Sequence, residues 1–360
     1  MAEQSPAPSL LNAVCPVPFG EQERIVLGHG AGGKLSAALM EEVFLPAFRN
    51  PVLERMDDQA VLAMPGQGVG RLAMTTDSFV ITPIFFPGGD IGSLAVHGTV
   101  NDLAVGGARP LWLAAAFILE EGLARTDLSR VVNSMAFAAQ QAQVAIVTGD
   151  TKVVNHGKGD QLFITTTGVG WVPAGVELGA DRARPGDQIL VSGSVGDHGM
   201  AILSMRENLE FESVIASDSA SLHTLTAALL ATCPPPALRC MRDPTRGGLA
   251  TSLHEIALRS RVGMLLEERR IPVRESVSSA CELLGIDPLF VANEGKLVAI
   301  VAPEYAAQAL EAMRAHPLGG EAQRIGEVIE TPREMVLLKT SIGGTRVLDT
   351  QFHEQLPRIC

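Results

Sequence analysis

Three kinds of residue in this 360-residue chain have types and spacing suited to chemistry: a tight run of glycines, recurring aspartates, and a cysteine at the last position. The glycine run, GHGAGGKL from Gly28 to Leu35, satisfies GxGxxG through Gly28, Gly30 and Gly33. It nearly satisfies GxxxxGK as well, with Leu35 where a P-loop needs Ser or Thr for Mg²⁺. Backbone amides at Gly30, Gly32 and Gly33 can approach phosphate oxygens closely, and Lys34 adds a positive charge beside them. A plain strand-to-helix turn that needs positive φ would use the same residues.

The aspartates recur in similar settings. Asp58 sits in MDDQAVLA, Asp77 closes LAMTTD, Asp150 closes VAIVTGD and Asp243 closes LRCMRD, while Asp102 falls in the helical stretch HGTVNDLAVGG. Side chains at the ends of parallel strands converge beside helix N-termini, where ligands bind in α/β sheets. Any one such Asp serves equally as a helix N-cap. Several of them with Gly and Thr neighbours point to a hard cation that carries polyphosphate, and Mg²⁺ is the natural choice. Lys34 and Lys152 of GDTKVV are candidates for phosphate contact, against the default of a solvated lysine. Gly247 and Gly248 of RDPTRGGLA stand at an expected helix start, suited to phosphate oxygens or to packing. Glu294 of VANEGKLV is a candidate general base, the alternative being a salt bridge to Lys296 or an Arg. His29, His97, His156 and His198 show no metal-binding spacing and read as core or surface residues.

The elements that must position these residues alternate along the chain. RLAMTTD, AAAFILE, VAIVTGD and QLFITTTGVG read as strands, with SLAVHGTVNDLAVGG and LSRVVNSMAFAAQQAQ as helices between them. Upstream, ERIVLG reads as a strand and LSAALMEEVFLPAF as an amphipathic helix flanking the glycine run. ADRARPGDQIL carries a Pro/Gly break. A second set follows, with QILVSG, RCMRD, VGMLLEE, KLVAIV, EMVLLK and GGTRVLD as strands and GGLATSLHEIALRS and PEYAAQALEAMRAH as helices. The last residues, TQFHEQLPRIC, have no period.

Composition narrows the function classes. The net charge of −12 argues against a nucleic-acid surface. No apolar run approaches the ~20 residues that cross a bilayer, so no membrane role is expected. The start, MAEQSPAPSLLNAVCPVPFG, lacks a basic n-region and a sustained apolar stretch; it reads as a disordered extension of a soluble, cytoplasmic protein rather than a signal peptide. The five cysteines, Cys15, Cys233, Cys240, Cys281 and Cys360, form no CxxC pair.

The ordered blocks HGAGGK, DDQA, TTDSFVITPIFFPGGDIGSLAVHGTVNDLAVGGARP, GDTKVV, TTGVG, RDPTRGGLA, NEGK and the terminal PRIC resemble the HypE family of hydrogenase maturation proteins, in the PurM-like superfamily of AIR synthetases and selenophosphate synthetases. The resemblance covers almost everything from Leu27 to Cys360. It implies a PurM-like α/β (α+β) fold that follows the disordered extension over 1–22, which has no counterpart in the family: an ATP-binding and dimerisation domain over 23–172, a second α/β domain over 173–348 and a mobile tail over 349–360. It further implies an enzyme that uses ATP to dehydrate a carbamoyl group on its own C-terminal cysteine to a thiocyanate. The donor would be the carbamoyltransferase HypF, and the cyanide would pass to iron on the HypC–HypD complex to become a ligand in [NiFe]-hydrogenase. By resemblance Asp58, Asp77, Asp102 and Asp243 are the metal and phosphate residues, with Asp150 next. Lys34 and Lys152 steady phosphate charge, Glu294 and Lys152 move protons, and Cys360 carries the reacting group. A homodimer through the N-terminal halves is implied by the superfamily.

Three rivals stand beside this reading. A dinucleotide-binding oxidoreductase expects an acidic residue ending a second strand, but Glu54 lies in PVLERMDD, a poor buried strand. A non-catalytic scaffold whose Cys360 forms disulfides or carries lipid is the second, although prenylation needs Cys four residues from the end. A sibling such as a selenophosphate synthetase is the nearest alternative, although those enzymes carry a Cys or selenocysteine in the glycine-rich loop and Gly30 to Gly33 contain no sulfur.

Overall fold

The computed structural model describes residues 34–39, 41, 53–55, 57, 60–63, 70–207 and 214–349. Gly30, Gly32, Gly33, Asp58, Cys360, the strand expected at ERIVLG, the N-terminal extension and the tail beyond residue 349 lie outside the described residues.

Alternating side chains build the first sheet. Its strands are β1 (Ala60–Ala63), β2 (Gly70–Phe79), β3 (Arg109–Glu120), β4 (Ala145–Val154) and β5 (Leu162–Pro173), in spatial order β1-β2-β5-β3-β4. In β5 every second residue from Leu162 to Val172 is buried, which is the period of a sheet with one packed face. The helices are α1 (Lys34–Leu39), α2 (Ile91–Val105) and α3 (Arg125–Gln141). All pairings in this sheet are antiparallel except β3 with β4.

The second sheet contains β6 (Gln188–Val191), β7 (Leu238–Arg242), β8 (Gly263–Glu267), β9 (Val298–Val301), β10 (Gln323–Ile329), β11 (Val336–Lys339) and β12 (Thr345–Leu348). Their order is β12-β11-β8-β10-β6-β9-β7, and only β8 with β11 is parallel. Around it lie α4 (Asp197–Arg206), α5 (His223–Thr232), α6 (Gly248–Ser260), α7 (Glu275–Leu284) and α8 (Ala306–Ala315). This mixed α/β architecture agrees with the expected fold class. The expectation that aspartates sit at the ends of parallel strands does not hold. The sheets are predominantly antiparallel, and β2 and β4 run on past Asp77 and Asp150. Short strand motifs such as TTD and TGD carry no stop signal, and β-branched neighbours extend both strands.

Helix α2 joins the two halves. Its sequence IGSLAVHGTVNDLAV is apolar on nearly every side, and residues all round it, from Ile91 to Val105, are buried. Asp90 caps its start, accepting from Gly92 N at 2.8 Å and Ser93 N at 3.1 Å. One continuous core includes Phe79, Leu94 and Val131 from the first half with Met200, Val277 and Val291 from the second. Asn101, 1% exposed, is the polar tie on this helix. It donates to Ala220 O at 3.0 Å and Glu294 O at 3.2 Å, and its Oδ1 accepts from Leu222 N at 2.8 Å. Asn101→Ala removes the side-chain partner of all three backbone groups in a buried site, leaving Glu294 O only the longer bond from Ala220 N at 3.4 Å, so urea unfolding is expected to show a loss of about 2–4 kcal/mol. A change under about 0.5 kcal/mol, the scale of a neutral surface substitution, would contradict this.

Among the described residues no helix is long and apolar enough to cross a membrane.

Candidate functional site

Glu294 lies in the turn that leads into β9 and is 2% exposed. Its Oε1 is buried and has no hydrogen-bond partner among the described residues. A buried carboxyl oxygen without a partner is costly, and a site that keeps one is keeping it for a ligand or a proton. Burial, then the nearby carboxylates Asp243, Asp218 and Asp77, push the Glu294 carboxyl well above the usual carboxylate range, while Arg246 opposes them.

Each neighbour arrives from a different element. Asp77 is in β2, paired across the sheet with Thr166 of β5, whose side chain is buried on the face that packs on α2. Burial raises the Asp77 pKa, opposed by Arg246 and by the Ser78 N–H, which donates to Oδ1 at 2.7 Å. Two residues earlier on the same face, Thr75 donates to Asp102 Oδ2 of α2 at 2.8 Å. Asp243 follows β7 directly and is 7% exposed. Arg246 precedes the Gly247–Gly248 pair that opens α6.

Those glycines have a packing reason. Both have positive φ, +75° and +62°, and a Cβ on Gly248 would lie 2.6 Å from Val291 O and 2.7 Å from Leu289 O. The start of α6 therefore lies directly against the backbone that precedes Asn293 and Glu294. With no acidic residue in its first turn, that N-terminus keeps its positive potential toward the carboxylates.

Asp150 and Lys152 are not part of this cluster within one chain. They pair with Ala116 and Ile118 of β3, on the face of the first sheet opposite to Asp77. Both are exposed, with Lys152 Nζ 2.8 Å from Asp150 Oδ2. That ammonium, followed by the Thr151 N–H, holds the Asp150 carboxyl below its ordinary pKa. The same outer face exposes Met74, Trp112 and Ile118. Met74 and Trp112 both pair with Val169 of β5, which makes an apolar row across three strands. Lys34 begins α1 and lies 3.3 Å from Asp349 Oδ2, where the described chain ends.

Among the described residues no three His, Cys, Asp or Glu side chains form a metal-holding group. Mg²⁺ that arrives on phosphates needs no such cage, because one or two carboxylates plus phosphate oxygens and water complete its shell. Asp77 and Asp243, beside the orphaned oxygen of Glu294, fit that requirement. His97 is partly buried and His198 buried, and they are hydrogen-bonded to Ser219 and Ser217. Cys233, Cys240 and Cys281 are buried, and burial pushes the thiols of Cys233 and Cys281 up to about 11 and about 12.

Three residues of the site had no signal in the sequence. Asp218 lies in SDSASLH, which reads as a polar turn. Arg246 and Asn101 sit inside motifs noticed for their glycines and aspartates. Only the folded chain brings all three to the Glu294 turn.

The profile described as "AIR synthase related protein, N-terminal domain" matches residues 56–172, and its C-terminal counterpart matches residues 184–339. A carbamoyl dehydratase HypE from Cupriavidus necator is 60% identical over 337 residues, covering 94% of this chain and 95% of that protein. A solved HypE–HypF complex contains a chain 48% identical, with a TM-score of 0.82, covering 87% of this chain and 100% of the other. A solved HypE in complex with ATP is 50% identical, with a TM-score of 0.78, covering 94% of this chain and 100% of the other. Fold, ordered motifs and length all agree with these relatives, and the chain belongs to the HypE family of AIR synthase related proteins.

Proposed function

We propose that this protein is an ATP-dependent carbamoyl dehydratase that converts a carbamoyl group on its own Cys360 into a thiocyanate. The observation that carries the reading is Glu294, a buried carboxyl with an unpartnered oxygen, raised pKa and three carboxylate neighbours. The family supplies the reaction class, and the HypE–ATP and HypE–HypF structures of relatives support ATP as co-substrate and a HypF-type carbamoyltransferase as donor. The cyanide would then pass to iron on a HypC–HypD complex, for [NiFe]-hydrogenase maturation.

The carbamoyl oxygen attacks the γ-phosphorus of ATP, an O–P bond forms and ADP leaves. The nitrogen gives up two protons, one as the imidate forms and one as the C–O bond breaks and phosphate departs with the oxygen. What remains on sulfur is C≡N. Glu294 is suited to take a proton from nitrogen, because burial and then its carboxylate neighbours raise its pKa and make it a stronger base than a solvated carboxylate. Arg246 and the start of α6 place positive potential where the departing phosphate carries negative charge. Asp77 and Asp243, with Asp58 and Asp102 as further candidates, would hold Mg²⁺, which neutralises phosphate charge when bound. Gly30, Gly32, Gly33 and Lys34 would line the phosphates.

Lys152 acts in this scheme only through a second copy. A homodimer packed on the outer face of the first sheet would cover Met74, Trp112 and Ile118 and bring Lys152 toward the partner's site. Sedimentation showing a monomer at micromolar concentration would remove that role.

The direct test is mass spectrometry of the C-terminal peptide, first after incubation with the carbamoyltransferase and carbamoyl donor, then after Mg-ATP. The expected sequence is a carbamoyl adduct followed by loss of one water mass. An adduct that never loses water would overturn the dehydratase reading.

A further inference from the structure

The segment Ser217–Asp218–Ser219 has no regular structure and lies beneath the Glu294 turn. The Asp218 side chain is 2% exposed. One of its oxygens accepts from Glu294 N at 3.1 Å, and the other accepts from Gly295 N at 3.3 Å and Lys296 Nζ at 3.0 Å. Contact is so close that a Cβ on Gly295 would lie 1.8 Å from Asp218 O. A carboxylate that takes two consecutive backbone N–H groups fixes the peptide planes on either side of the Glu294 Cα.

The segment is itself held from both halves of the molecule. Ser217 Oγ meets His198 Nδ1 of α4 at 2.7 Å, and Ser219 Oγ meets His97 Nδ1 of α2 at 2.9 Å. Asn101 holds the carbonyls of Ala220 and Glu294. On the other side of the turn, Asn293 Oδ1 accepts from Gly196 N at 2.7 Å and its Nδ2 donates to Pro244 O at 2.9 Å, next to Asp243. The backbone of Glu294 is thus fixed on both sides, while Oε1 has no partner among the described residues. Stability alone is a weak reason to bury the Asp218–Lys296 pair, since such pairs seldom exceed their desolvation cost. Orientation of the carboxyl between them is a stronger one.

We infer that Asp218 is a positioning residue that aims the Glu294 carboxyl by fixing its backbone, and that the Ser217–Ser219 segment sets this aim from both halves of the fold. The inference rests on Glu294 being the base. A base displaced by about 1 Å loses about 10²-fold in rate without losing substrate affinity.

The test compares Asp218→Ala, Asp218→Asn, Glu294→Gln and the double variant in full-length protein loaded with carbamoyl groups, following dehydration and ATP consumption. Asp218→Ala is expected to lower kcat by about 30- to 100-fold with KM for ATP within about threefold. Asp218→Asn, which keeps one backbone acceptor, should fall between wild type and Asp218→Ala. On the Glu294→Gln background, Asp218→Ala should add less than about threefold, because no carboxylate remains to be aimed. Equal losses on both backgrounds would overturn the inference in favour of a structural role, as would a raised KM with unchanged kcat. If Asp218→Ala fails to fold, Asp218→Asn decides: wild-type kcat overturns the inference, and reduced kcat that vanishes on the Glu294→Gln background supports it. An impaired Glu294→Gln beside an unimpaired Asp218→Ala overturns this inference alone. An unimpaired Glu294→Gln overturns the base assignment as well.

Discussion

Replacing Glu294 with Gln is expected to lower the rate of ATP-dependent dehydration by about 10²–10⁴-fold while ATP binding stays within about threefold of wild type, the pattern for loss of a general base. The amide keeps the shape of the side chain but cannot accept a proton from nitrogen. The same substitution carries a stability signature with a defined sign. The Glu294 pKa is raised in the folded protein, first by burial and then by Asp243, Asp218 and Asp77. Between the unfolded carboxyl pKa of about 4.3 and the folded value, the folded state binds more protons than the unfolded state, so stability falls as pH rises. Gln does not titrate. The melting temperature of Glu294→Gln should therefore gain on wild type as pH goes from about 5 to about 8. A constant or narrowing difference would show that the carboxyl is ionised at no cost, and a wild-type rate would remove Glu294 as the base.

Removal of Cys360, by Cys360→Ala or by truncation of the last residue, is expected to abolish both the carbamoyl and the cyanide adducts, with no residual slow reaction. The effect is all-or-none because the proposed thiol is the atom to which the reacting carbon is bonded; no neighbouring group compensates for a missing bond. Of the other cysteines, Cys233, Cys240 and Cys281 are buried, and burial holds the Cys233 and Cys281 thiols at pKa values of about 11 and about 12, where the nucleophilic thiolate is scarce at neutral pH. ATP affinity, measured by calorimetry, should be unchanged within about twofold. An adduct on the Cys360→Ala protein would move the carrier role to another residue, and a lost ATP affinity would place Cys360 in the nucleotide site instead. Together the two substitutions separate the proposed carrier of the carbon from the proposed base that takes a proton from nitrogen.

The chemical inventory was legible along the chain because it is local. A run such as GHGAGGKL is informative through its lack of side chains, and RDPTRGGLA announces a helix start through paired glycines, which the structure gives positive φ. Strand and helix periods were equally local: QLFITTTGVG alternates cleanly, and IGSLAVHGTVNDLAV is apolar all round and is buried accordingly. The raised Glu294 pKa was not legible, because it depends first on burial and then on three carboxylates separated from it by as few as 51 and as many as 217 positions in the chain. The sidedness of the first sheet was also hidden. Asp77 and Asp150 sit in similar motifs, TTD and TGD, yet strand register turns one toward α2 and the other to the outer face. A one-residue change of register exchanges the faces, and no short motif records it.

The sequence by itself determined which groups are available: the aspartates, the glycine-rich turns, the buried-helix composition of α2 and the thiol at Cys360. Tertiary structure alone decided which of them meet. It brought Asp77, Asp243 and Asp218 to Glu294, sent Asp150 and Lys152 to the opposite face, and supplied Asn101 and the Ser217–Ser219 segment to hold the turn. The physical reason is that reactivity here is set by burial and by charge at short range. Both are properties of distance in space, and packing across the shared core, from Phe79 to Val291, is what fixes that distance.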